Sequence, residues 1–198
     1  MKLLIFSDIH GDKAALERLM KQEADYYFVA GDLANWGRGL EQLGPVMQPH
    51  AGRVYVIPGN HESEEDIARF CEQFGFHNFH GQSMRIGGHA VAALGYSNPT
   101  PFNTPGEYSE RELADRLSKF AELKPLVLIC HCPPKSTKLD RAGEGQQFGS
   151  QSVRDFIETN QPDYFYCGHI HEAAGAAEQI GRTQGFNVGK QGRVLEIA

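Results

Sequence analysis

Asp8-Ile9-His10, Gly31-Asp32, Gly59-Asn60-His61-Glu62 and Gly168-His169-Ile170-His171 are four polar clusters, each placed just after an apolar run. His131 follows a fifth such run, Leu126 to Cys130. Carboxylate, amide oxygen and imidazole together suit a borderline divalent ion, with Mn first and Fe, Zn, Co or Ni admissible. Mg alone would favour oxygen donors and retained water, so the imidazoles weigh against it. A structural zinc site would more often use thiolates. The seven candidate ligands are Asp8, His10, Asp32, Asn60, His131, His169 and His171. They exceed what one ion with an open position needs. An Asp has two oxygens and can bridge two ions, whereas a His gives one nitrogen to one ion. Two ions sharing one carboxylate is the simplest solution; such pairs lie about 3.5–4 Å apart and clamp the attacking and leaving oxygens of a phosphoryl group.

The elements that must position these clusters are legible as alternating apolar runs and amphipathic stretches. Lys2 to Phe6, Tyr26 to Ala30, Arg53 to Ile57, Leu126 to Cys130 and Asp163 to Cys167 read as buried strands, so each cluster sits where a strand runs out. In an α/β sheet those ends gather along one edge. Helices are expected over Lys13 to Gln22 with Asp12 as cap, briefly around Leu40 to Leu43, and from Ser63-Glu64-Glu65-Asp66 onward with Ile67, Phe70, Cys71 and Phe74 inward. Two more are expected after Ser109 and over Ser152 to Glu158. Ser83 to Ile86 and His89 to Leu94 flank Gly87-Gly88, a hairpin signal. Thr183 to Val188 and Arg193 to Ile197 read as short C-terminal strands. The polar stretches Ser97 to Gly106 and Pro133 to Gly149 are loops long enough to carry function.

Composition sets the bounds. The chain has 198 residues, 40% of them hydrophobic, enough for one domain, 1–198, with a substantial core. The formal net charge is −6 and no Lys/Arg run occurs, which disfavours tight nucleic-acid binding through phosphate neutralisation. No apolar stretch approaches the roughly 20 residues of a membrane span. Leu3 to Phe6 is too short for a signal-peptide core and is followed by Asp8. The expectation is a soluble cytoplasmic protein. Cys71, Cys130, Cys132 and Cys167 show no disulfide spacing.

Taken in order, Asp8-x-His10, Gly31-Asp32, Gly59-Asn60-His61-Glu62, His131 and Gly168-His169-x-His171 resemble the calcineurin-like metallophosphoesterase superfamily over nearly the whole chain. The resemblance implies a four-layer αββα sandwich with two mostly mixed β-sheets flanked by helices. It implies Asp8, His10 and His171 on one metal ion, Asn60, His131 and His169 on the other, and Asp32 between them. It also implies that His61 faces the substrate as a general acid. Two cations depress the pKa of bound water, so a bridging hydroxide is available near neutral pH to attack phosphorus in line. Proton donation to the departing oxygen is typically worth ~10²–10⁴-fold.

The pattern departs from the Ser/Thr phosphoprotein phosphatases at Asn35 and Trp36, where those enzymes carry an orienting Asp and a phosphate-gripping Arg. The chain is similar instead to small bacterial and archaeal phosphoesterases, through His131-Cys132-Pro133-Pro134, Leu139-Asp140, Gly149-Ser150 and Cys167 to Glu172. By family analogy the expected substrate is a small phosphodiester, with phosphomonoester or nucleotide pyrophosphate hydrolysis as the alternative. A non-catalytic metal-binding scaffold is the alternative of another class, disfavoured because all eight positions are present. A zinc-thiolate reading would need Cys130 and Cys132, which alternate away from His131 along a strand. His50, His77, His80 and His89 lack motif partners and read as surface or satisfied polar groups. Trp36, Phe102 and Tyr96 either stack a ring of the substrate or close loops over the core. Arg38, Lys135, Lys138 and Arg141 read as ordinary exposed cations before phosphate contacts.

Overall fold

The computed structural model describes residues 1–198. One sheet is built from β1 (Lys2–Phe6), β2 (Tyr26–Ala30), β3 (Val54–Ile57), β4 (His77–Asn78) and β11 (Arg193–Glu196). Its order is β11-β1-β2-β3-β4, all parallel except β11. The second contains β5 (Gln82–Ile86), β6 (His89–Leu94), β7 (Leu126–Cys130), β8 (Tyr164–Cys167), β9 (Ala177–Ile180) and β10 (Thr183–Asn187), in the order β5-β6-β7-β8-β10-β9. Its edge strands β5 and β9 are antiparallel and its interior is parallel.

The strand sequences explain the layering. Side chains alternate across a strand. Leu4 and Phe6 of β1 pack toward α1 (Lys13–Met20), α2 (Leu40–Met47) and α3 (Glu64–Phe74), whereas Leu3 and Ile5 join the layer between the sheets. In the second sheet Leu128 and Cys130 face α4 (Glu110–Leu117) and α5 (Gln151–Asn160), whereas Val127 and Ile129 meet Phe28, Ile57 and Ile5 between the sheets. The result is the expected αββα sandwich. Helix starts fall where the caps place them. Asp12 accepts from the Ala15 N–H, and Ser63/Asp66 and Ser109/Glu112 form reciprocal capping boxes.

Several boundaries move by one or two residues from the sequence reading, and two helices and two strands differ in ways that have a physical reason. α1 ends at Met20, two residues early. α2 runs on to Met47 through Pro45, because Leu40, Leu43 and Met47 are buried and Gly44 lies under Phe74, where a Cβ would approach the ring to 2.3 Å. Packing there overrides the breaker. The short edge strands β4 and β9 carry mostly polar residues and so gave no apolar pattern.

Candidate metal centre

Each cluster hangs from the carboxyl end of a parallel strand: Asp8 and His10 after β1, Asp32 after β2, Asn60 and His61 after β3, His131 after β7, His169 and His171 after β8. The first three strands lie in one sheet and the last two in the other, so the rim of the sandwich draws donors from both. The chain turns sharply at these points. Asp8, His10, Asp32 and His169 have φ of 56°, 46°, 55° and 69°, a left-handed conformation that costs about 1 kcal/mol or more each outside glycine. Neighbouring strand ends hold the turns. The Asp8 N–H donates to Gly31 O at 3.1 Å, His10 N–H to Asp32 O at 3.0 Å, and Gly168 N–H to His131 O at 3.1 Å. Gly59 and Gly168 are required for close approach. A Cβ on Gly59 would lie 2.0 Å from Asp32 Oδ1, and one on Gly168 would lie 2.1 Å from Ser7 Oγ.

These turns bring all seven candidate ligands together. Asp8, His10, Asp32 and His171 offer donor atoms within 4.8 Å of one another, and so do Asp32, His131 and His169. Asp32 is common to both groups: its Oδ2 lies 3.5 Å from His10 Nε2 and 3.4 Å from His131 Nε2. Its other oxygen, Oδ1, accepts the His61 N–H at 2.9 Å. Asn60 Oδ1 lies 3.1 Å from His131 Nε2 and 2.8 Å from His169 Nδ1, which adds the amide to the second group. His10 Nε2 and His171 Nε2 face each other at 2.8 Å.

The donor set fits two cations. His10 gives its Nδ1 proton to Asn35 Oδ1 at 2.8 Å, and His131 gives its own to Ala30 O at 2.8 Å. With Nδ1 so engaged, Nε2 of each ring faces the centre, free to bind an ion once it carries no proton. Lone pairs and carboxylates converging from several sides repel one another unless positive charge sits between them.

Protonation follows the same logic. Burial opposes a charge on His131, but Asp32 and Asp8 overcome it and push the imidazole up to about 9. Burial likewise opposes the Asp32 carboxylate, yet the adjoining His131 cation holds that group well below the usual carboxylate range. His169 is pushed down to about 4 by burial and by the charge of His131. Burial also lowers His10, while hydrogen bonding to Asp8 raises His171. Asp8 is lowered despite burial, chiefly through His171. Its carboxylate is oriented by the Ser7 hydroxyl at 2.6 Å and the His169 N–H at 3.0 Å.

Several supporting residues carried no assigned role in the sequence. Glu62 is fully buried and accepts the N–H groups of Asp32, Ala34 and Gly59 at 3.1, 2.8 and 2.9 Å, locking two cluster loops together. Burial and Asp32 push its carboxyl up to about 8. Thr104 Oγ1 takes a proton of the Asn60 amide at 3.2 Å and donates to Glu107 at 2.6 Å, which points Asn60 Oδ1 inward. The Asn187 amide donates to Leu139, Gly168 and Ile170 carbonyls and so braces the His169–His171 loop. Glu62 could have been singled out by its place in a cluster; Thr104 and Asn187 had no local signal.

His61 lines a cavity of about 530 Å³ together with Asp8, His10, Asn35, His171 and Lys190. Its ring stands 5.0 Å from that of His10. Its Nδ1 is buried with no protein partner. Asn35 sits where an orienting acid was found wanting in the sequence, and it serves His10 instead. Lys190 Nζ is tied to Asp12 Oδ2 at 3.0 Å.

Other candidates fall outside this rim. All four cysteines are unpaired and buried, and burial pushes Cys71 and Cys130 up to about 12. None belongs to either donor group. His50, His77 and His80 have hydrogen-bond partners, as expected, but His89 Nδ1 is buried without one. His89 is partly exposed, so of the two readings, surface or satisfied, only the second fails for its Nδ1. Arg38, Lys135, Lys138 and Arg141 are exposed and none lines the cavity. Tyr96 is buried, its hydroxyl accepting from the Glu64 N–H, so it closes the core. Trp36 and Phe102 remain exposed.

A profile of the calcineurin-like phosphoesterase family matches residues 1–173. An uncharacterized protein of Methanocaldococcus jannaschii is 32% identical over 189 residues, covering 92% of this chain and 85% of its own. A probable glycerophosphodiester phosphodiesterase of Arcobacter nitrofigilis is 28% identical over 125 residues, 61% of this chain and 46% of that protein. The chain thus spans about half the length of this second relative. The crystal structure of a phosphopantetheinyl hydrolase from Mycobacterium tuberculosis superposes with a TM-score of 0.67 at 16% identity, covering 95% of this chain and 88% of that one, and shares the fold. No helix is long and apolar enough to cross a membrane. The chain belongs to the calcineurin-like phosphoesterase family and is a metal-dependent hydrolase of phosphoric esters.

Proposed function

We propose that this calcineurin-like phosphoesterase cleaves small phosphodiesters with two divalent ions, manganese first among the candidates, held by its seven-residue rim. Asp8, His10 and His171 would hold one ion, Asn60, His131 and His169 the other, and Asp32 both. The 3.5 and 3.4 Å approaches of Asp32 Oδ2 to His10 Nε2 and His131 Nε2 support the shared role. When bound, two such ions activate water near neutral pH and draw charge from the phosphoryl oxygens.

The protein's own groups do the rest. Asp32 Oδ1 anchors the His61 backbone, fixing the imidazole at the cavity wall. From there His61 donates a proton to the departing oxygen, which matters most for an alkoxide. Asn35 and Ala30 keep the His10 and His131 rings in the tautomer whose Nε2 faces the centre.

The preference for diesters rests on one observation: the cavity offers no unpaired guanidinium or ammonium group. Its one lysine, Lys190, is already neutralised by Asp12. A monoester dianion carries one more charge than a diester monoanion and would gain more from a clamp of that kind, so its absence favours the diester. The partial likeness to a probable glycerophosphodiester phosphodiesterase points the same way. Four unpaired cysteines suit a reducing, cytoplasmic setting. Rates on bis-p-nitrophenyl phosphate and p-nitrophenyl phosphate test the ranking. Faster diester cleavage is expected, and a monoester preference reverses it.

A further inference from the structure

The turn Asn35-Trp36-Gly37-Arg38 is short, closed by an Arg38 N–H to Asn35 O bond of 3.0 Å, and left-handed at both central residues. Trp36 has φ 54° and Gly37 φ 65°. Such turns favour Gly, Asn or Asp in the middle; a bulky aromatic side chain at positive φ is an outlier. The conformation is pinned from both sides. Asn35 is bonded to His10, and Gly37 faces Asp66 of the α3 capping box so closely that a Cβ would lie 2.9 Å from its carboxylate. Trp36 is therefore mounted on a rigid support at a backbone cost.

That cost places the indole beside His61. The two rings stand 5.9 Å apart and perpendicular, at 87°. Yet Trp36 is 48% exposed, so His61 covers only part of it. An aromatic ring whose sole purpose was to wall in His61 would have no reason to leave half its surface in water. Phe102, the other exposed aromatic considered for the rim, makes no ring contact with a site residue.

We propose that Trp36 is a stacking platform for a planar ring carried by the leaving group, which makes nucleoside-type esters the preferred substrate class. The inference rests on His61 facing the departing oxygen: a group attached to that oxygen leaves past His61, and the indole stands 5.9 Å from that ring, outside the residues that line the cavity itself. Stacking on an aromatic side chain tolerates any base, since every base has a π-face. The selection is thus for a ring and not for one nucleobase.

Trp36 is the single tryptophan of the chain, so its emission reports on this position alone. The test titrates zinc-loaded protein with adenosine 5′-monophosphate and, separately, with glycerol 3-phosphate, which has the phosphate and no ring. Saturable quenching by the nucleotide and not by glycerol phosphate is expected. By calorimetry W36L should weaken nucleotide binding about tenfold or more. It should leave glycerol phosphate within about twofold, and W36F should restore most of the nucleotide affinity. Equal quenching by both ligands, or equal weakening of both by W36L, would reduce Trp36 to a wall for His61 and overturn the proposal. These are binding measurements. They stand even if bis-p-nitrophenyl phosphate is not turned over, an outcome that would sink the diester reading alone.

Discussion

Asn35 Oδ1 accepts the Nδ1 proton of His10 across 2.8 Å, and the asparagine also donates to His10 O at 3.3 Å. One side chain thereby fixes both the ring and the backbone of a candidate ligand. Asn35→Ala should lower affinity for one of two ions by ~10–100-fold, the usual cost of losing such a partner. Asn35→Asp, which keeps the acceptor, should recover most of it. Metal titration by calorimetry would show two unequal classes of site in the alanine variant; unchanged affinities would deny Asn35 this role.

Asp32→Asn removes the charge common to both donor groups. Elemental analysis after gel filtration should find fewer than two ions per chain and activity lost in proportion. Stoichiometric retention of both ions would contradict a shared carboxylate.

His61→Gln should keep both ions, because the His61 ring belongs to neither donor group and its hydrogen bond to Asp32 is made by the backbone N–H. Turnover should fall by ~10²–10⁴-fold on alkyl diesters, and less on nitrophenyl esters whose leaving oxygen needs no proton. Equal slowing of both would argue against proton donation.

The pH dependence has a definite sign. His131 is raised from 6.5 to about 9, so its contribution to stability is fully present below pH 6.5 and lost as pH climbs through 9. Glu62, raised from 4.5 to about 8, acts in the same direction. The melting temperature of chelator-treated protein should therefore fall between pH 6.5 and 9. Metal affinity should do the opposite, since the His131 proton must leave before an ion can bind. Affinity should rise up to about pH 9 and then level off, with proton release on loading followed by a pH indicator. A pH-independent affinity over that window would show that His131 does not bind metal.

Much of this centre was legible in the sequence because strands buried on both faces announce themselves as unbroken apolar runs, and their ends are where Asp8, Asp32, Asn60, His131 and His169 stand. The capping boxes at Ser63 and Ser109 were equally visible, being local chemistry. Contacts distant along the chain were not. α2 continues through Pro45 only because Gly44 meets Phe74 from another helix. The Asn60 amide is oriented by Thr104, 44 residues away, and the His169 loop is braced by Asn187 on a later strand. In the sequence Asn35 marks only the lack of an orienting acid, while its bond to His10 required the fold.

The rim draws Asp8, His10, Asp32 and Asn60 from one sheet and His131, His169 and His171 from the other. The first sheet is closed at its edge by β11, the last strand of the chain, so neither sheet is finished ahead of the other. Neither one carries more than four of the seven donors, and a pair of ions held by all seven would require both sheets to be docked.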